Sequence, residues 1–394
     1  MFLIKKLTPL WFFLFGFFLP TQLGKHFWPL FSYLRGARSD YLSPTLYLTD
    51  ILLIGFFLLY FPTLLILGKK ISIFFRKNPY LFLFFGIFLA TNFFVAQYKM
   101  LFLYRVWQYD KIFLTAYIFA SADKKHLKLF LRGVALSLVY VLLLGVWQVK
   151  TGGSVQGAWW ALGERAFTIN TPGISTVSLN GAKYLRAYST FSHPNSLAGF
   201  GLGLFFLFSA TSFSLGTLLA FMTIFISFAK FPLFILIGLF FLQQFFKQKQ
   251  CTVCLISRLI IFSICLLLIW QFKGNPASLA ERFIQMQFGL EYLLKHPLGA
   301  GLGHSLSVLS FSQPIHNIYL LFLVETGWVG ILILVMGLAS LIRKIKVNPT
   351  VFYLIAPILL AGFFDHYTIT LPQNILLLGI LLGIGNQSAK KRFP

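Results

Sequence analysis

Three stretches of the chain gather residue types that can hold a charged group and move a proton. In YLRAYSTFSHPNSLAG, from Tyr184 to Gly199, Arg186 stands ahead of Pro194 and Asn195. Glu281, Arg282 and Phe283 form the second, and PIHNIYLLFLVETGWVG, from Pro314 to Gly330, supplies His316, Asn317 and Glu325. Guanidinium groups hold anionic oxygens by permanently charged, bidentate hydrogen bonds and need no metal to do so. His316 sits just before an expected helix, whose dipole keeps an imidazole neutral and basic near pH 7. Pro194 and Asn195 read as another helix start, with Asn195 as its cap. Glu325 lies nine residues past His316, about 13 Å further along the helix and on its opposite face, so it is not the partner of that imidazole.

The elements that position these residues must be strongly apolar. Of 394 residues, 58% are apolar and 11% charged, with 49 phenylalanines and a mean hydropathy of +0.81. On composition this excludes a water-soluble domain, a disordered chain and a disulfide scaffold. A net charge of +24 raises the question of nucleic acid. The basic residues, however, cluster between apolar runs, where they orient a membrane protein, so a lipid bilayer is the expected partner and nucleic acid is not.

The apolar runs show no strand alternation, which predicts an all-α polytopic membrane protein with about twelve transmembrane helices in one domain over 1–394. The spans are expected near 8–24, 48–68, 80–96, 100–120, 130–149, 195–211, 213–229, 231–246, 258–272, 316–342, 350–366 and 372–386. The first resembles a signal peptide but lacks a small-residue cleavage site, and reads as a retained anchor. Lys5, Lys6, Lys69, Lys70, Lys124, Lys125, Arg343 and Lys344 fall on one side, which predicts cytoplasmic termini in an inner membrane. Two long extracytoplasmic loops, 150–194 and 273–315, are then left to carry function. His26, His193, His296, His304, His316 and His366, out of seven histidines, share that outer side.

The acidic residues offer no closely spaced carboxylate pair for a divalent cation, and Gly299 to Gly303 lack the Lys-Ser/Thr ending of a P-loop. No metal and no cofactor is expected. Cys251 and Cys254 form a CxxC without a second pair and read as incidental.

R-x-x-(S/G)-x-F-x-x-P-N-x-L-A-G, then an R-F, then G-x-G and H-N-x-Y-L-x-x-x-x-E-x-G-x-x-G, in this order, resembles the O-antigen ligase and polymerase superfamily. Asp40 to Tyr47 (DYLSPTLY) is similar to a stretch in its more divergent members. The resemblance implies a GT-C-like transmembrane fold. It also implies a metal-independent glycosyltransferase that moves a glycan from a polyprenyl-diphosphate carrier to a lipid- or glycan-linked acceptor on the outer face of the membrane. By the same resemblance Arg186 and Arg282 hold the diphosphate, with Asn195, Asn317 and Glu325 at the substrate, and His316 is the base for an inverting displacement. Where the family often has Ser-Arg, Ser227 is followed by Phe228, and Lys230 is the nearest cation.

Two other functions fit parts of the pattern. One is a lipid-linked glycan flippase, against which the absence of an internal repeat counts. The other is a polyprenyl-phosphate-sugar transferase with Asp40 as carboxylate base. Asp365 and His366 are expected to line the acceptor side. Arg105, Asp110 and Lys111, inside an apolar stretch, have no account from sequence.

Overall fold

Long apolar runs with few strand formers in alternation make helix after helix. The computed structural model describes residues 2–179, 181–247, 263, 276–348 and 350–390. After α1 (Phe2–Phe18) come β1 (Gly24–His26), β2 (Tyr33–Leu34), β3 (Ala37–Arg38) and β4 (Thr45–Tyr47), with β1 antiparallel to β4 and β2 antiparallel to β3. Five helices follow: α2 (Leu48–Leu59), α3 (Phe61–Lys77), α4 (Pro79–Val95), α5 (Lys99–Ser121) and α6 (Lys124–Thr151). A hairpin of β5 (Thr176–Leu179) and β6 (Ala182–Leu185) leads to α7 (Pro194–Ala210), α8 (Ser214–Ile226) and α9 (Lys230–Lys247). The C-terminal part holds α10 (Pro276–Lys295), α11 (Ser305–Leu309), α12 (Ile318–Thr326), α13 (Val329–Val347), α14 (Thr350–Ala361), α15 (Tyr367–Thr370) and α16 (Pro372–Lys390).

The helical character agrees with the sequence, but the expected twelve spans and the GT-C-like arrangement do not. Among the described residues only α6, with 28 residues, is long and apolar enough to cross a membrane. The pair α2 and α3 adds a second candidate if a span bent by 81° is counted as one. Six further apolar helices run only 10–17 residues. At 1.5 Å per residue, 17 residues rise about 26 Å, short of a hydrocarbon core of about 30 Å. The runs are cut by Pro62 and Pro79 at helix starts, and by turns at Phe228 (φ 51°) and Gly327 (φ 67°). The longer α5 fails on charge, with Arg105, Asp110 and Lys111 inside it. The second expected outer loop, 273–315, is also corrected, since α10 occupies 20 of its residues. The span expected over 258–272 and the pair Cys251 and Cys254 lie outside the described residues.

The core sits around α7, where every residue from Ser196 to Phe208 is buried. A helix apolar on all sides belongs in the interior. Beside it, Phe12 meets Phe56 edge-on at 4.7 Å and Phe119 meets Phe130 at 4.6 Å, joining α1, α2, α5 and α6. Two buried ion pairs account for charges the sequence left open. Lys111 of α5 lies 2.6 Å from Asp50 of α2, and Arg105 lies 3.8 Å from Glu325 of α12.

The 150–194 stretch is held by buried hydrogen bonds. Glu164 accepts from Gln148 and from the backbone of Val155 and Gln156, while Gln148 Oε1 accepts from the backbone of Tyr188 and Ser189. These contacts fix the chain on either side of Arg186. The glycine motif has a structural use too. The amides of Ala300 and Gly301 donate to Val324 and Glu325, docking the loop on the end of α12. Gly299 (φ 77°) and Gly327 (φ 67°) meet there with no room for a Cβ on either.

Candidate functional site

The PN motif builds one side of the site. Pro194 starts α7 and His193 caps it, its Nδ1 accepting from the Asn195 amide at 3.1 Å. The Asn195 side chain is thereby free to bridge two charged groups. Its Oδ1 accepts from Arg186 Nη2 at 2.6 Å, and its Nδ2 donates to Asp365 Oδ2 at 2.8 Å. Arg186 also donates from Nε to the Ser227 carbonyl at 2.9 Å. In place of a second basic side chain after Ser227, the backbone turns at Phe228, and it is the Ser227 carbonyl that holds Arg186.

Helix α10 builds the other side. Arg282 donates from Nη1 to the Phe364 carbonyl at 3.0 Å, and its Nη2 lies 3.8 Å from Asp365 Oδ2. Three residues on, and so on the same helix face, Gln285 reaches His316, with Oε1 2.9 Å from Nδ1. Gln285 is fully buried. An Nδ1–H donated to that oxygen leaves His316 Nε2 with its lone pair, the tautomer a base requires. The His316 and His366 rings pack edge to face at 5.1 Å.

Arg186, Asn195, Arg282 and His316 therefore meet around Asp365. Asn317 and Glu325 serve elsewhere. Asn317 caps α12, accepting from the amides of Tyr319 and Leu320, and Glu325 is buried with Arg105 and the Ser305 hydroxyl. Asp365 stood among the acceptor-side residues in the sequence, but its place at the centre was missed, and Gln285 was missed altogether. Buried positions at 285, 289 and 293 repeat every four residues, and that spacing was the available sign of α10.

Burial lowers the basicity of the imidazoles. His316 falls below 6.5 because burial and Arg282 outweigh Asp365, and burial takes His193 and His366 down to about 3. Burial also lowers Arg186 to about 10, so it remains charged at pH 7. Burial pushes the Asp365 carboxyl up, but His316, His366, Arg282 and His193 pull it below the usual carboxylate range. These imidazoles are neutral at pH 7, and the carboxylate faces two guanidiniums.

His316, Asp365 and His366 each offer a ligand atom, all within 4.8 Å of one another, and could hold a cation. Asp365 Oδ2, however, already accepts from Asn195 beside Arg282, and His366 Nδ1 is bonded to Thr370 at 2.7 Å. A divalent ion there would share the one carboxylate with the Arg282 guanidinium.

Gly199, five residues after Pro194, lets α7 approach the ring of Tyr367, next to His366. A Cβ at 199 would land on that ring. Gly199→Val should cost roughly 1–3 kcal/mol, as overpacking does, and thermal unfolding of the purified protein reads it. An unchanged melting temperature would mean that Tyr367 moves aside freely.

The chain matches no protein-family model and no curated protein.

Proposed function

We propose that the chain transfers a glycan from a polyprenyl-diphosphate carrier to an acceptor hydroxyl, without a metal. One observation carries this reading. Beside His316, Arg282 Nε and Gln285 Nε2 are buried donors with no acceptor among the described residues, in a cluster holding two guanidiniums and one carboxylate. Unpaired buried donors cost free energy, and phosphate oxygens are the acceptors that would satisfy them. In the proposed step His316 Nε2 takes the acceptor proton as the new C–O bond forms. The anomeric C–O bond to phosphate breaks with inversion, and Arg186 and Arg282 neutralise the departing diphosphate.

A membrane location suits a polyprenyl donor and is part of the proposal. Among the described side chains, α3 buries none and α13 buries only Gly330. Phe82, Leu83 and Phe94 of α4 and Val335 of α13 stand exposed. Bare apolar surface on this scale needs a lipid or protein cover.

The test is incubation of the purified protein with polyprenyl-diphosphate glycan and candidate acceptors in chelator, following donor consumption and product mass. Transfer without metal is expected, and Asp40→Asn should keep most of it, since Asp40 is ion-paired with Arg165 at 2.9 Å. Loss of transfer in chelator, restored by a divalent cation, would move His316 from base to ligand. Untouched donor, with lipid-linked glycan crossing reconstituted vesicles, would replace the transferase by a flippase.

The pH dependence has a definite sign. Protonation of His316 removes the base, and its folded-state value lies below 6.5. The rate, read as kcat/KM for the free protein, should therefore rise along an acid limb centred below 6.5. A midpoint at or above 6.5 in initial-rate measurements would exclude His316 as the titrating base.

A further inference from the structure

A cavity of about 690 Å³ adjoins the reaction cluster and has no part in the proposed donor chemistry. Tyr41 and His193 line it, and Tyr41 also packs edge-on against His366 at 5.3 Å, so the cavity and the cluster share a wall. Its chemistry is distinctive in three ways.

The first is charge. Arg35, Arg38, Arg105 and Arg165 line the cavity against one carboxylate, Asp40. Arg165 is committed to Asp40 and Arg105 to Glu325. Arg35 and Arg38 make no ion pair among the described residues, and Arg38 is held over the Trp28 ring at 5.2 Å. Arg35 sits in the tight β2–β3 turn, where it (φ 49°) and Gly36 (φ 81°) take positive φ, and Arg38 follows in β3, paired with Tyr33. A guanidinium pair on one tight hairpin is suited to a carboxylate or a phosphate.

The second is a pair of unsatisfied polar atoms. Gln22 Oε1 and Ser192 Oγ are buried on the cavity wall without hydrogen-bond partners. One accepts and the other both donates and accepts, which is the complement of a sugar hydroxyl pair. The third is aromatic: Tyr104, Tyr188 and Phe311 present ring surface to the same space, against which the apolar face of a pyranose packs.

We infer that this cavity binds the acceptor, and that the acceptor is an anionic glycan whose carboxylate or phosphate lies against Arg35 and Arg38. The inference rests on the glycan-transfer reading for the word acceptor, but binding can be measured without any donor. The acceptor hydroxyl reaches His316 past Tyr41 and His193, while the donor diphosphate stays on the Arg186 and Arg282 side. Separate pockets of this kind let one site hold two negatively charged substrates without forcing their charges together.

The experiment uses the full chain in detergent and three probes of equal length: a tri-uronate, a trisaccharide bearing one phosphate monoester, and a neutral trisaccharide. Calorimetry should show at least one anionic probe binding about 10-fold or more tighter than the neutral one, and which it is separates carboxylate from phosphate. The Arg35→Gln, Arg38→Gln double variant should lose that preference and leave neutral binding unchanged. Both side chains are exposed, and an unchanged melting temperature confirms the fold. Equal affinity for neutral and anionic probes, or an anionic preference that survives the double variant, overturns the inference. Anionic binding that depends on both arginines, in a protein that transfers nothing, would leave the cavity assignment standing and remove the transferase. Transfer to a neutral acceptor at the same rate in wild type and double variant would do the reverse.

Discussion

His316→Ala should lower glycan transfer about 10³-fold, within the 10²–10⁴ range that a positioned general base contributes. Donor binding should change little, because in the proposed mode the diphosphate lies against guanidiniums on other elements. The expected signature is a fall in kcat with KM for the donor nearly unchanged. Gln285→Leu gives the companion result. It leaves the imidazole in place but removes the acceptor that holds Nδ1–H, so the rate should fall by a smaller factor and the acid limb should shift. Arg186→Lys separates charge from geometry. A lysine keeps the positive charge but cannot donate at once to Ser227, Asn195 and a phosphate, and most of the activity should be lost. Full activity in His316→Ala would remove the base from the proposed reaction.

Removing either member of the Asp50–Lys111 pair should cost roughly 3–5 kcal/mol, the largest stability effect expected in the chain. Both side chains are essentially inaccessible, and each is the other's counter-charge at 2.6 Å. Lys111→Ala strands the carboxylate, although Asp50 Oδ2 keeps the Tyr47 amide as a donor at 3.0 Å. Asp50→Ala strands an ammonium with only the rings of Tyr47 and Trp107, at 5.8 and 5.7 Å, to stabilise it. The two single variants should melt far below wild type. The Asp50→Asn, Lys111→Met double variant should recover most of the loss, since it leaves no unpaired charge buried. If single and double variants melt alike, the contribution of the pair is packing and not charge.

The residues that gather around Asp365 were more legible in the sequence than the scaffold that gathers them. Arg186, Asn195, Arg282 and His316 stand out because arginine and histidine are conspicuous in an apolar chain and lie beside helix-start residues. Asn317 has the same local signal, but its side chain caps α12 and donates to the Phe363 carbonyl instead of joining Asp365. Asp365 lies 170 residues from the Asn195 it binds, a contact that no local pattern encodes. The 276–295 stretch fell between expected spans and was left as loop, yet it is a helix whose buried stripe is Gln285, Gly289 and Leu293, with Arg282 beside that stripe and turned to Asp365. Hydropathy found apolar helices but miscounted spans, because averaging over a window hides the prolines and left-handed turns that end a helix. Arg105 and Lys111 were opaque for a similar reason: their partners, Glu325 and Asp50, are far away in the chain.

One helix, α10, carries both Arg282 and Gln285, and this has a mechanical consequence. The groups that the proposed reaction uses to receive the departing charge and to ready the base are rigidly yoked, so neither can be displaced alone. A shift of α10 by one turn, about 5.4 Å, would disarm both at once. In the proposed reaction the donor is then not activated while the base is unprepared, an arrangement that would guard a lipid-linked donor against loss to water.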